Sequence, residues 1–342
     1  MKRNMIPHNL PTIGVEEEVA ALRVLRSKQL SQDQEVELFE NEFCDYLGLP
    51  HGSAVALSSG TSSLFLALKI LNAEEKQVLF PGYVCSALRH AVSLVGGIEK
   101  TVDISNNSPN IDMNLVAQTS SDISIIPHMY GIPIEIDIDN TLVIEDCCQA
   151  LGAQVNKKMV GLQGDAGIFS FYATKLMTSG GQGGMFVSKN QQHVDAVRDY
   201  REFDYRNDSK TRFNFKMTDL QAAIGREQLK KFPNFLKRRE KIFQYYKKAG
   251  LDLLDISEEK NGYLTPVRFR AIVKTDNPQK IIQSLDSVNV KSIVPTEDWE
   301  LLGPQTSFPN GLRLSHETVS LPIYPSLDDS DVELIVSTIL KK

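Results

Sequence analysis

GDAGIFSFYATKLMTSGGQGGMF, residues 164–186, is the stretch whose reading decides the fold. Ile168–Phe171 and Gly184–Val187 are short runs rich in β-branched and aromatic residues, so they read as two strands joined by a glycine-rich bend. Lys175 sits between them and has no charged neighbour from Ala166 to Val187, whereas a surface lysine usually stands among other charges. A lysine held away from water can serve as an amine nucleophile and form a Schiff base. The glycines do not end in the G-K-S/T of a phosphate-binding loop, and they lack the spacing of a dinucleotide fingerprint. Nucleoside-triphosphate hydrolysis and hydride transfer are therefore disfavoured.

Working outward, short strand-like runs alternate with helical ones. Ser53–Leu57, Val78–Phe80, Ile98–Val102, Ile123–Pro127 and Leu142–Ile144 are the strands; Leu64–Leu71, Ser86–Val95 and Met113–Ala117 lie among them as helices. Alternation of this kind predicts an α/β fold with a mostly parallel sheet and helices on both faces. Two amphipathic helices precede it, Val15–Leu25 and Glu35–Leu47. A long helical pattern begins near Thr218, and Pro233 is expected to interrupt or kink it before KRREKIFQYYKKA resumes. After Gly250 the texture changes to GYLTPVRFRAIV, followed by amphipathic Pro278–Ser287 and a last helix over Asp328–Leu340. This predicts a large domain over residues 1–234 and a smaller α+β domain over 235–342.

Composition narrows the function classes. A chain of 342 residues suggests two domains and can bury a sizeable core without disulfide or metal staples. The net charge of −6 comes with no basic block, so nothing marks a nucleic-acid surface. Apolar runs fall far short of the ~20 residues that span a bilayer. MKRNMIPHNLP has two basic residues and no apolar stretch behind them, which argues against a secretory signal. The four cysteines form no C-x-x-C pair and the six histidines are scattered, so the expectation is a reduced, cytoplasmic protein without a metal site.

Two further stretches carry polar groups at strand ends. In SSGTSS, Ser58–Ser63, the backbone amides of a helix start could hold a phosphate, although a plain N-cap accounts for the same residues. In TLVIEDCCQALGA, residues 141–153, Asp146 stands at the carboxyl end of an apolar strand, where open α/β sheets place ligands. Asp146 followed by Gln149 is equally a capping-box-like pattern. Spacing alone leaves both readings open.

Taken together, the pieces resemble the sugar aminotransferases of the DegT/DnrJ/EryC1/StrS family, pyridoxal-phosphate enzymes of the aspartate-aminotransferase fold, fold type I. LSQDQEVELFENEF, SGTSSLFLAL, PGYVCSALRHAVSLVGG with VDI, PHMYG, IEDCCQALGA, GDAGIFSFYATK with GGQGG, NFKMTDLQAAIGREQL and LPIYPSL carry the resemblance in order along nearly the whole chain.

The resemblance implies roles. Lys175 matches the lysine that holds pyridoxal 5'-phosphate covalently and shuttles the proton, and Asp146 the carboxylate paired with the pyridine nitrogen. Gln149 matches the residue near the phenolic oxygen. Gly60, Thr61 and Ser170 match phosphate ligands, and Asn214 one supplied by a neighbouring subunit. Cys85 stands where many relatives place an aromatic ring over the cofactor, Gln182 replaces a usual glutamate, and SIVPTEDWELLGP occupies the place of a histidine-containing substrate segment. His128 and Tyr130 read as structural. The implied activity moves the amino group of L-glutamate, by way of pyridoxamine 5'-phosphate, onto a nucleotide-linked keto-sugar in a homodimer, for surface-polysaccharide or related amino-sugar biosynthesis. The rivals are a PLP-dependent sugar dehydratase, disfavoured by a lysine where the dehydratases have histidine, and a non-catalytic cofactor-binding regulator.

Overall fold

The computed structural model describes residues 5–256 and 262–341. Two helices, α1 (Val15–Ser27) and α2 (Gln34–Leu47), precede β1 (Ala54–Leu57). Then α3 (Gly60–Ile70), β2 (Gln77–Pro81), α4 (Ala87–Leu94), β3 (Ile98–Val102), α5 (Met113–Gln118), β4 (Ile123–Pro127) and β5 (Leu142–Asp146) alternate. A two-residue-per-strand hairpin, β6 (Gln154–Val155) and β7 (Lys158–Met159), leads to β8 (Ala166–Ser170) and β9 (Gly184–Val187). The seven-stranded sheet has the order β1-β9-β8-β5-β4-β2-β3. All its strands run the same way except β9, which is antiparallel to both neighbours because it returns through the glycine-rich bend.

Both faces are covered, and the period-two alternation of side chains shows how. Val55, Leu57, Ile168 and Phe186 point into a core with α3 and α4. Their neighbours Ala54, Ala56, Phe169, Met185 and Val187 point into a second core with Phe39, Phe43 and Phe232 of the flanking helices. Burial on two sides explains why these strands are near-continuous apolar runs.

The rest of the chain adds α6 (Gln191–Arg201), α7 (Asp219–Lys248), β10 (Leu264–Thr265), β11 (Ala271–Lys274), α8 (Pro278–Asp286), α9 (Pro309–Glu317), β12 (Thr318–Leu321) and α10 (Asp329–Leu340). β11 and β12 pair antiparallel, and a third core gathers Val273, Leu285, Val319 and Ile335 with Ile242 and Tyr246 of α7 and Ile6 from the start of the chain. β10 instead pairs with β6.

Of the two outcomes expected at Pro233, interruption is the one the structure corrects. α7 runs unbroken for 30 residues with Pro233 inside it. A proline inside a helix forfeits one backbone hydrogen bond and costs about 3 kcal/mol in isolation. Here Leu229, Phe232, Phe235 and Ile242 are buried on both sides of it, and that packing outweighs the local penalty. α6 and α9 were not anticipated; α6 is polar on most of its surface and buries only Val194, Val197 and Arg201.

Candidate active site

The carboxyl ends of β1, β4, β5 and β8 open onto a cavity of about 240 Å³. Its wall includes Gly60, Thr61, Cys85, Asp146, Gln149, Ser170 and Lys175, so seven of the eight residues singled out from sequence meet in one place. The eighth, Asn214, is exposed, is not part of this wall, and accepts the Lys216 backbone N–H through Oδ1 at 3.2 Å.

At one end lies the start of α3. Ser59 caps the helix, its Oγ accepting the Ser62 N–H at 3.0 Å, while Ser59 O takes the Ser63 N–H. The first two amides, of Gly60 and Thr61, lie ahead of any intrahelical partner and face the cavity as free donors. The hydroxyls of Thr61 and Ser170 stand beside them. Close approach here requires glycine: a methyl on Gly60 would lie 2.8 Å from Ser170 Cβ and 3.1 Å from Cys148 Sγ, and one on Gly184 would lie 2.2 Å from Ser59 O. A helix N-terminus with free amides and added hydroxyls is an anion cradle that suits a phosphate.

At the other end Asp146 closes β5. Its Oδ1 accepts the Cys148 N–H at 2.9 Å, which holds the carboxylate toward the cavity. Burial pushes the Cys148 thiol well above its ordinary value, the Asp146 charge adds to this and Lys175 opposes it, so the thiol stays protonated. Gln149 is oriented as well. Its Oε1 accepts the Tyr130 N–H at 2.9 Å; only the carbonyl end can accept, so the amide NH2 is the end left to donate. Tyr130 adopts φ 57°, a left-handed backbone that aims this N–H at Gln149.

Lys175 is half-buried, with Nζ 5.5 Å from the Phe269 ring centroid, and among the described residues it forms no ion pair. Phe269 lies 94 positions further along the chain, and no local signal in the sequence links the two. Ser59, Cys148 and Tyr172 are further wall residues to which sequence reasoning gave no role; Ser59 and Cys148 adjoin Gly60 and Gln149, and Tyr172 stands two positions after Ser170.

Behind the wall His128 and Glu145 are both sealed from solvent, with Nε2 and Oε2 3.0 Å apart. His128 Nδ1 accepts the Ile134 N–H, so its proton resides on Nε2 and is donated to Glu145. Glu145 also accepts from the amides of Gly161, Gln163 and Gly164. Burial alone would raise the Glu145 pKa, but the His128 hydrogen bond and these amides outweigh it and hold the carboxyl below its usual range. Cys147 brings a third ligand-type atom within 4.8 Å, a grouping the scattered sequence positions conceal. Both carboxylate oxygens and the histidine lone pair are already engaged, so the cluster is a hydrogen-bonded support for β5 and its following loop.

A covalently bindable amine, a carboxylate, an oriented amide donor and a phosphate cradle around one slot fit pyridoxal phosphate by their chemistry. Known proteins agree. The chain is 29% identical to the spore coat polysaccharide biosynthesis protein SpsC of Bacillus subtilis, covering 99% of this chain and 97% of that one. It is 28% identical over 344 residues to the GDP-perosamine synthase of Vibrio cholerae, covering 90% and 91%. The crystal structure of the aminotransferase TlmJ from Streptoalloteichus hindustanus superposes with a TM-score of 0.89 at 23% identity, covering 98% of each chain, which shows a shared fold. Residues 11–340 match a single family, and the chain belongs to it: the DegT/DnrJ/EryC1/StrS aminotransferase family, whose members bind pyridoxal phosphate.

Proposed function

We propose that the enzyme transfers the amino group of L-glutamate to a keto-sugar carried on a nucleotide, as a cytoplasmic homodimer serving surface-polysaccharide or related amino-sugar biosynthesis. The observation that carries this reading is the convergence of Lys175, Asp146, Gln149 and the free amides of α3 on one cavity. The names of the relatives, a spore coat polysaccharide biosynthesis protein and a GDP-perosamine synthase, support the acceptor class. No helix among the described residues is long and apolar enough to cross a membrane.

Each residue has a task in this reading. When bound, the cofactor supplies a carbonyl that takes up and returns the amine and a ring that accepts electrons. Lys175 Nζ would hold the cofactor covalently and would move the proton at the substrate carbon. Asp146 would keep the ring nitrogen protonated. Gln149 would donate its amide hydrogen to the phenolic oxygen. Gly60, Thr61 and Ser170 would bind the phosphate, and a partner's copy of the 214 loop would add its Asn214 from across the interface. Cys85 lines the same cavity. We place residues 1–234 in the cofactor domain and 235–342 in the small domain, a division supported by the separate core around β11 and β12.

The test follows the two half-reactions separately. Purified holoenzyme mixed with glutamate should release 2-oxoglutarate in a single turnover, with the matching change in cofactor absorbance. Nucleotide-linked keto-sugars should then restore the starting spectrum, whereas free keto-sugars should do so poorly. A holoenzyme that reacts with glutamate but is reset equally well by free sugars would remove the nucleotide from the proposal.

A further inference from the structure

Tyr130 follows β4 and is buried, yet its backbone stands at φ 57° and ψ 16°, in the left-handed region. For a residue with a bulky side chain this conformation is strained and persists only where the surroundings enforce it. The two ends of the residue have different partners. Its backbone N–H donates to Gln149 Oε1 at 2.9 Å, and Gln149 is part of the cavity wall. Its hydroxyl donates to Tyr83 Oη at 2.9 Å and, with its one proton spent there, accepts from Thr296 Oγ1 at 3.1 Å.

The contacts around it come from distant parts of the chain. Tyr83 follows β2, and its ring meets that of Tyr130 edge-on with centroids 6.4 Å apart. Asn110 brackets the turn: Oδ1 accepts the Met129 N–H at 2.7 Å, and Nδ2 donates to Ile132 O at 3.0 Å. The Val267 N–H donates to Gly131 O at 2.9 Å. Thr296 lies 166 positions beyond Tyr130, between α8 and α9. Asn110 and Val267 thus fix residues 129, 131 and 132, which leaves the hydroxyl bonds to hold Tyr130 itself. Burial raises both phenols above their ordinary pKa, so neither Tyr83 nor Tyr130 ionises near neutral pH.

We propose that Tyr130 is a positioning residue for Gln149: its hydroxyl bonds to Tyr83 and Thr296 hold the left-handed backbone, and that backbone aims the Gln149 NH2 at the cofactor's phenolic oxygen. The inference rests on the aminotransferase reading and adds to it a link from the segment between α8 and α9 to the cofactor site. A side-chain amide can flip end for end at little cost in shape, because its oxygen and NH2 are similar in size. Only a fixed N–H on one side decides which end faces the cavity. A flipped Gln149 would turn a carbonyl lone pair on the phenolic oxygen and oppose its negative charge.

The experiment reads the pH midpoint of the cofactor absorbance change in the holoenzyme, with no substrate present. It compares wild type, Gln149→Leu, Tyr130→Phe, Thr296→Val and the double variant Tyr130→Phe/Gln149→Leu. A donor on the phenolic oxygen favours its ionised form and lowers the midpoint, so Gln149→Leu should raise it by about one pH unit. Tyr130→Phe and Thr296→Val keep the residue 130 N–H and every charged group nearby: Arg270 and Glu300 around Tyr130, Asp146 and Lys175 in the cavity. Each should still raise the midpoint, by about half a pH unit, because Gln149 then spends part of its time flipped. In the double variant Tyr130→Phe should add nothing to Gln149→Leu, since its effect passes through the amide; a merely structural role would add its own shift unchanged. Should Tyr130→Phe fold poorly, Thr296→Val carries the same test from the other side of the bond. Unshifted midpoints in Gln149→Leu or in the two hydroxyl variants overturn the proposal, as do equal Tyr130→Phe shifts with and without Gln149, and each leaves the aminotransferase reading standing. A wild type that takes up no pyridoxal phosphate overturns both.

Discussion

His128 Nε2 and Glu145 Oε2 lie 3.0 Å apart with both side chains fully enclosed, directly behind the strand end that presents Asp146. Glu145 is the hub: a histidine, a glutamine side chain and three backbone amides from residues 161–164 donate to its two oxygens. The loop between β7 and β8 is thereby tied to β5.

Glu145→Gln should destabilise the protein by about 3–5 kcal/mol, because an amide NH2 would then face donors in a site sealed from solvent. Denaturant unfolding checks this. The pH dependence follows from the sign of the shift. The folded Glu145 carboxyl titrates lower than an unfolded one, so its contribution is complete above the unfolded value of about 4.3. It is lost as pH falls below that value toward the lowered folded one. Glu145→Gln should therefore flatten the acid limb of a stability–pH curve, and an unchanged limb would place the acid sensitivity elsewhere.

Lys175→Ala should abolish transamination while leaving the melting temperature nearly unchanged. The side chain is half-buried and its contact with Phe269 is worth about 1 kcal/mol or less. Borohydride reduction of wild-type holoenzyme followed by peptide mapping should label Lys175. A label on another lysine would reject the assignment.

Asp146→Asn keeps the bond to the Cys148 N–H, since the amide oxygen can still accept it. The fold should survive. Turnover at saturating cofactor should drop about 100-fold or more, because a neutral amide stabilises a protonated ring far less well. A near-normal rate would leave Asp146 only its role in the turn.

Gly60→Ala should impair the phosphate cradle. The new methyl would sit 2.8 Å from Ser170 Cβ and 3.1 Å from Cys148 Sγ, so the helix start must shift. Overpacking of this kind costs about 1–3 kcal/mol. Cofactor dissociation, followed by fluorescence, should weaken by about tenfold or more. Unchanged affinity would show that the phosphate does not depend on this close approach.

Asn214 tests the shared site. Mixing inactive Lys175→Ala protomers with Asn214→Ala protomers, each nearly inactive alone, should restore activity on subunit exchange. In one heterodimer site both lesions coincide and the other site is intact. Verified heterodimers with no recovery would assign Asn214 to its own subunit or to no site.

The sheet was legible because its strands announce themselves locally. Ile98–Val102, Ile123–Pro127 and Gly184–Val187 have the bounds read from sequence, since short β-branched runs between glycine and polar clusters encode strands without help from distant residues. Lys175, Asp146 and SSGTSS were legible as positions because each sits at a strand end whose chemistry stands out from an apolar background. Local propensity failed at Pro233, where burial along α7 overrode the helix-breaking tendency, and at α6, where few apolar residues mark the helix.

What the sequence determined alone was therefore the alternating α/β order, the sheet's strands and the chemical types gathered at their carboxyl ends. Tertiary structure decided which groups meet. Asp219, at the start of α7, accepts the amides of Asp33, Glu35 and Val36 and so caps α2 from 184 positions away, while Asp33 at the local cap position makes no capping bond. The same holds for Phe269 beside Lys175 and His128 beneath Glu145. Such pairings arise from packing of elements far apart in the chain, and side-chain hydrogen bonds leave no periodic trace in sequence because their geometry is set only after the cores close.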